Sequence, residues 1–324
     1  MAGQKERAAM NEAGKGVAAM VTACMIWGLS PLYYKLLAHV PPLELLAHRT
    51  FWSLIFFGTV LALQARLGEV RRLLLSSPRQ VAAVGFAAGM ISTNWFFFIY
   101  SVQIGRVVES SLGYYIFPLV SVMLGVLVYR EGMDAAKAVA VGLAATAVIV
   151  LTLGLGVAPW VSLVLAFSFG FYGMVKKYVA AGAVVSVTAE VVLLVPLALF
   201  WLWGVHSQGW TGLTGTNLAT FGRSLSDSAL LMLSGPLTAT PLILFSYASR
   251  RVTMATVGLV QYLNPTLQFA VAVAIFAEPF TRWHAIAFPL IWVALAIYTL
   301  RTWRQERSAR RAATSSSTVA TVVK

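Results

Sequence analysis

The sequence predicts an all-α membrane protein: ten transmembrane helices in two inverted five-helix repeats, with both termini cytoplasmic. Three observations predict it: apolar composition, the side on which cations fall between apolar runs, and an internal repeat. Of 324 residues, 59% are hydrophobic and 11% charged, whereas soluble domains are roughly 45 to 50% apolar. Mean hydropathy is +0.79. The net charge of +13 does not point to nucleic acid, because no basic face is interleaved with exposed aromatics and the cations cluster between apolar runs. Cys24 is the only cysteine, so no intrachain disulfide is possible, and neither a metal nor a cofactor is expected.

A bilayer-crossing helix needs roughly 20 apolar residues. The first run, 17–38, follows a basic N-terminus at 1–16, but it is too long for a signal-peptide core and lacks a clear small-residue cleavage site. It reads as a retained span. Spans two to five are expected at 43–65, 80–101, 107–129 and 135–155, with a basic link between the second and third. Spans six to ten are expected at 157–176, 185–205, 229–249, 253–277 and 283–301. Residues 206–228 form a Gly/Thr/Ser-rich loop with no room for a domain, and the tail at 302–324 is basic, low in complexity and expected to be disordered.

Cytoplasmic loops carry the excess of Lys and Arg. With the N-terminus inside, the inner segments hold Arg66, Arg71, Arg72, Arg79, Arg130, Lys137, Lys176, Lys177, Arg250 and Arg251, besides the cations of both termini. The outer segments keep Arg106, Arg223 and Arg282.

A constant offset of 147 lays 109–131 within 253–278, matching Tyr115 with Tyr262, Pro118 with Pro265 and Glu131 with Glu278, and it also pairs Tyr100 with Tyr247. Upstream, WGLSPLYYK, ending at Lys35, matches FGFYGMVKK, ending at Lys177, with Gly28 over Gly170. The halves are therefore 17–155 and 157–301, and five spans per half force opposite orientations. Inverted repeats are a transporter signature, supplying two pseudo-equivalent states around a midplane site.

WGLSPLYYK (27–35), ELLAHRTFWS (44–53), STNWFFFIY (92–100), SLGYYIFPL (111–119) and QYLNPTLQF (261–269) resemble the RarD-type branch of the EamA family, within the drug/metabolite transporter superfamily. The resemblance covers about residues 16–302. It implies ten helices, a multi-pass permease of the bacterial inner membrane and no ATPase subunit, without fixing a substrate. Where the family pattern has Asn before the fourth-span Pro, this chain has Phe117.

The second span concentrates charge. Pro42 suits the first helical turn and Glu44 complements the helix dipole there. His48, at i+4, shares its face and is within reach of a hydrogen bond. Arg49 lies about 10 Å along the axis from Pro42, which leaves two readings open: a headgroup anchor, or a residue facing a wet cavity. Lys35, Glu44, His48, Arg49 and Glu109 are expected in one outer vestibule. Deeper polar candidates are Asn94, Tyr115, Gln261, Tyr262 and Asn264, with Trp27, Trp95 and Tyr114 as stacking surfaces or simple packing. Pro118 and Pro265 each free a carbonyl and are candidate kinks. Gly85 and Gly89 form a small-xxx-small pair for helix contact.

Enzyme signatures are absent: Gly14, Lys15 and Gly16 make no phosphate loop, and ELLAH is not HExxH. The expectation is a secondary transporter moving a small organic metabolite, amino-acid-like or anionic, by alternating access. One alternative is a proton-coupled exporter of drugs or lipophilic cations, with Glu44 or Glu109 exchanging protons. Another is a membrane sensor that transports nothing. The partners expected are a small-molecule substrate and the bilayer, with protons in the exporter reading.

Overall fold

Capping residues and prolines set where the helices begin and end. In the computed structural model, α1 runs Ala2–Leu36, and Pro42 opens α2 (Pro42–Leu63). Ser77 accepts from the Gln80 N–H to start α4 (Pro78–Gln103), and Asp134 accepts from Lys137 to start α6 (Ala135–Leu155). Between α4 and α6 lies α5 (Val107–Tyr129), and a short helix, α3 (Leu67–Leu74), precedes α4. Gly156, left-handed at φ 70°, closes α6, and α7 (Trp160–Lys176) begins after Pro159. Gly209, at φ 69°, closes α8 (Ala183–Gln208). Ser224 caps α9 (Leu225–Ser249) and Thr253 caps α10 (Met254–Gln261). Then follow α11 (Leu263–Ala270), a π-helical turn (Val271–Ile275) and α12 (Arg282–Val322).

The backbone is described for residues 2–130, 132–212 and 215–322, and side chains for 12–304 apart from 131, 213, 214, 254 and 255. Glu131, the repeat partner of Glu278, lies outside the described residues. Among the described residues the regular structure is all helical. Among the described residues, nine helices are long and apolar enough to cross a membrane: those at α1, α2, α4, α5, α6, α8 and α9, the stretch Thr256–Ile275, and Arg282–Arg304 of α12. The sixth expected span, α7, is shorter, because Pro159 delays its start.

Three local features differ from the sequence reading. The link between the second and third spans contains α3, which buries Val70 and Leu73 with Leu61, Val84, Val185 and Ala189 while Arg66 pairs with Glu69 at 2.7 Å. The ninth span is broken at Tyr262, one turn before Pro265. Proline has no N–H to return to the carbonyl four residues back, and its ring clashes there. Pro118, by contrast, sits inside an unbroken α5. Beyond Arg304 the backbone of α12 continues as helix to Val322, where the sequence reading expected disorder.

Packing is between specific pairs: α1 on α9 and α11, α7 on α4 and α5, α2 on α8, and α6 on α12. In lipid such contacts depend on close backbone approach at small residues. A Cβ at Gly28 would sit 2.6 Å from Leu267 Cβ and 3.0 Å from the Asn264 carbonyl oxygen, so α1 reaches α11 only because Gly is there. Gly85 and Gly89 meet nothing within 4 Å of an added Cβ, so they are not the contact pair the sequence implied.

Candidate functional site

The packing of α1, α4, α7 and α9 leaves a cavity of about 240 Å³, with α2, α5, α8, α10 and α11 also contributing to its wall. Aromatic residues dominate the lining: Trp27 and Tyr34 from α1, Trp95 and Phe98 from α4, Tyr114 from α5, Phe169 and Tyr172 from α7, and Phe245 from α9. Two cations, Arg49 and Lys176, complete it with the polar residues Ser30, Asn94, Thr238, Gln261, Asn264 and Gln268.

Arg49 does not snorkel. Its residue is 6% exposed, its Nη1 donates to the Tyr34 hydroxyl at 2.7 Å, and its guanidinium lies 4.3 Å from the Trp95 ring centroid. Arg49 Nε is buried without a hydrogen-bond partner, and among the described residues no carboxylate lies within 4.0 Å of the side chain. Cation–π attraction offsets part of the desolvation, but the charge has no counterion. Gln268 adds a second unanswered group: its Nε2 donates to Asn264 Oδ1 at 2.9 Å, while its buried Oε1 accepts nothing.

Asn94 is scaffold as much as lining. Its Nδ2 donates to the Leu165 carbonyl at 3.0 Å and to Ser168 at 3.1 Å, and its Oδ1 accepts from Tyr114 at 3.0 Å. These bonds tie α4 to α7 and α5. At the far end of α7, Lys176 Nζ lies 2.5 Å from Glu190 Oε1, donates to Ser186, and faces the Tyr172 ring at 5.3 Å. The Glu190 residue has no exposed surface.

The expected vestibule of Lys35, Glu44, His48, Arg49 and Glu109 is three separate places. Arg49 faces the cavity. Glu44 and His48 face the end of α8 and residues 219–221: Glu44 Oε1 accepts from the Thr220 N–H at 2.6 Å, and the His48 ring stacks on Phe221 at 5.0 Å. The expected Glu44–His48 hydrogen bond is not made, because the Thr220 amide takes Oε1 and both imidazole nitrogens remain unpartnered. The ligand atoms of Glu44, His48 and His206 all lie within 4.8 Å of one another. Lys35 and Glu109 are elsewhere again: Lys35 stands over the Phe276 ring at 5.4 Å, and Glu109 accepts from Arg106 at 3.0 Å. Beside them Glu278 accepts from the Val107 and Val108 N–H groups, each at 2.8 Å, and caps α5. Burial pushes the Glu278 carboxyl above its ordinary value, against the pull of those two amides and Lys35.

The described residues of the expected 206–228 loop fold back on α2 and α8. Trp210 lies over Gly204, where any Cβ would meet its ring at 2.0 Å, and Asn217 Nδ2 donates to the carbonyls of Val205 and Trp210 at 2.8 Å. Tyr115 and Tyr262 are away from the cavity. Tyr115 hydrogen-bonds Thr266 at 2.6 Å and packs edge-on to Phe288, while Tyr262 faces Thr299 at 3.5 Å. Phe117 packs on Phe169 at 4.7 Å. The sequence reading missed Lys176, which it used only for topology, and Tyr34, Tyr172, Thr238 and Gln268. The signal for Tyr34, Tyr172 and Lys176 was present in the repeat: the offset that lays Lys35 on Lys177 also lays Ser30 on Tyr172 and Tyr34 on Lys176.

Comparison with known proteins agrees with this architecture. Residues 14–153 match the profile of the EamA-like transporter family. The chain is 42% identical to the protein RarD of Streptomyces exfoliatus, over 94% of this chain and 93% of the relative. It is 38% identical to an uncharacterized transporter of Pseudomonas aeruginosa, over 90% of this chain and 96% of the relative. A solved crystal structure shares the fold with a TM-score of 0.57 and 18% identity, over 88% of this chain and 97% of the other. An all-helical chain with these apolar spans and with such relatives along nearly its whole length is a multi-pass membrane transporter, and it belongs to the RarD-type EamA-like transporter family.

Proposed function

We propose that the protein is a secondary transporter of a small organic anion of amino-acid-like size, working by alternating access across the bacterial inner membrane with no ATP hydrolysis. The observation that carries the substrate class is Arg49: a buried guanidinium with no counterion among the described residues, held on Trp95 and Tyr34 at the wall of an aromatic cavity. A desolvated cation aimed into a pocket favours a ligand carboxylate, which a guanidinium can engage through two parallel hydrogen bonds. The lining speaks against a lipophilic-cation cargo, since among the described residues it contains Arg49 and Lys176 and no carboxylate.

The mechanism rests on ten spans in two inverted halves, 17–155 and 157–301, with both termini cytoplasmic. Its support is the way the cavity is lined. Trp27 and Phe169, Ser30 and Tyr172, and Tyr34 and Lys176 are related by one offset of 142, and every one of them faces the cavity. Ile91 and Thr238, Trp95 and Leu242, Phe98 and Phe245, and Tyr114 and Gln261 are related by the offset of 147, and they face it too. Helix contacts follow the same relation: α1 packs on α9 and α11 as α7 packs on α4 and α5. A site built from equivalent faces of two opposed repeats can open to either side by exchanging the conformations of the halves.

The test is counterflow in proteoliposomes with a panel of labelled amino acids and small carboxylates. Wild type accumulates at least one anionic member, and Arg49→Gln loses at least tenfold of that uptake while keeping its thermal midpoint within a few degrees. Equal uptake by Arg49→Gln would sink the assignment of the anion to this residue. Uptake confined to cations would sink the substrate class.

A further inference from the structure

Away from the cavity, the outer ends of α2 and α8 bring together three side chains that the transport reading does not use. Glu44 has no exposed surface, and its Oε2 has no hydrogen-bond partner. His48 is 4% exposed, and neither ring nitrogen has one. A neutral imidazole has one N–H to give and one lone pair to fill, so both functions are unanswered. The third group, His206, sits exposed at the end of α8 with its ring edge-on to His48 at 6.5 Å. Thr220 Oγ1, buried beside them, also lacks a partner.

We infer that Glu44, His48 and His206 form a binding site for a divalent transition-metal ion of the zinc class. Two imidazole nitrogens and a carboxylate oxygen are a donor set such ions take, with the fourth position left for water or an exogenous ligand. Bond lengths of about 2.0 to 2.2 Å in a tetrahedral site put ligand atoms roughly 3.3 to 3.6 Å apart. Here they lie within 4.8 Å of one another, so closure by at most about 1.5 Å suffices, and exposed His206 is the member free to move. The supports for orientation are in place. The Thr220 N–H holds Glu44 Oε1 at 2.6 Å and leaves Oε2 without a hydrogen-bond partner, while Phe221 stacks on the His48 ring and fixes its plane. An ion would satisfy the orphaned oxygen and at least one orphaned nitrogen. It would also clamp α2 to α8 on the outer side of the proposed topology.

Another imidazole in the same region supplies a control. His39 lies 3.3 Å from Asp227 and is half exposed, an ordinary surface pair. Full-length protein in detergent, stripped with a chelator and titrated with Co²⁺, is expected to bind one ion per chain, with the visible absorption of tetrahedral cobalt bleached by Zn²⁺. Zn²⁺ should also raise its thermal midpoint. His206→Ala, an exposed change, should melt like stripped wild type yet lose at least tenfold in Co²⁺ affinity, and His39→Ala should bind as wild type does. No tetrahedral band in wild type, or an affinity unchanged in His206→Ala, would overturn the assignment. Loss of binding in His39→Ala with retention in His206→Ala would move the ion to the surface pair and overturn it equally.

Discussion

Glu44 on α2 and Glu190 on α8 are related by an offset of 146, each lying in the second span of one of the two proposed halves, and both residues are wholly buried. Their partners differ. Glu190 has Lys176 at 2.5 Å and the Ser186 hydroxyl at 3.1 Å. Glu44 has one backbone amide, from Thr220, and no ammonium, because Lys35 leaves α1 toward Phe276 and Glu278 instead. In the proposed repeat the place of a carboxylate is kept but not how its charge is met. On α8 the carboxylate makes a cross-helix ion pair with Lys176 at the cavity wall; on α2 it stands beside two histidines, His48 and His206.

The largest expected effect comes from taking the cation from Glu190. Removing one partner of a buried pair leaves an uncompensated charge and costs about 3 to 5 kcal/mol. Lys176→Met should therefore lower the thermal midpoint sharply and abolish counterflow, and Lys176→Met with Glu190→Leu should regain most of the midpoint. Glu44→Gln keeps an oxygen for the Thr220 N–H and removes a charge with no cation beside it, so its cost in metal-free protein should stay within about 1 kcal/mol. If the two carboxylates proved equally sensitive, the contrast between Glu44 and Glu190 would collapse.

Much of this was legible in the sequence for physical reasons. Apolar run length and the placement of cations reflect the bilayer, which acts on each span separately, so the run positions needed no tertiary information. The deep polar candidates Asn94, Gln261 and Asn264 were also recognisable, because an amide in an apolar run has to be answered by other protein groups. Which charges meet was not legible. Arg49, His48 and Glu44 sit within six positions of one another, yet a helix turns 100° per residue, and Arg49 faces the cavity while the other two face α8. His206 reaches them only through the tertiary packing of α8 on α2, which no local spacing encodes. The break before Pro265 and the unbroken α5 at Pro118 show the same limit, since proline chemistry is identical and the surroundings decide.

A middle-sized effect should come from the matching glycines. A methyl at Gly28 meets Leu267 Cβ at 2.6 Å and a carbonyl oxygen at 3.0 Å, whereas at Gly170 it meets only the side-chain ends of Leu124 and Val120 at 3.1 Å. Val120 and Leu267 are themselves related by the offset of 147, so the same contact is made twice with different clearance. Overpacking costs roughly 1 to 3 kcal/mol where the neighbour is backbone-fixed. Gly28→Ala should lower the midpoint by that order, and Gly170→Ala by less than about 1 kcal/mol, measured by thermal unfolding in one detergent. A reversed ranking would mean that α1–α11 is the more yielding contact.

The smallest expected effect concerns how α5 and α10 start. For α10 the cap is local: Thr253 Oγ1 accepts from the Thr256 N–H at 3.1 Å. At the position 147 residues earlier Arg106 offers α5 no side-chain cap, and Glu278, in the other proposed half, reaches across to take two α5 amides. Thr253→Ala should cost about 1 kcal/mol at any pH, as loss of a neutral cap does. Glu278→Ala should cost about 1 to 2 kcal/mol and should depend on pH. Its carboxyl is held above its ordinary value in the folded protein, so its contribution is complete below the unfolded carboxylate range and is lost as pH rises through the folded one. The gap in midpoint between wild type and Glu278→Ala should therefore narrow as pH is raised from acid, while the Thr253→Ala gap stays flat. A gap that instead widened with pH would mean that the two amides and Lys35 outweigh burial, and that this link between the halves is held by a carboxylate at full charge.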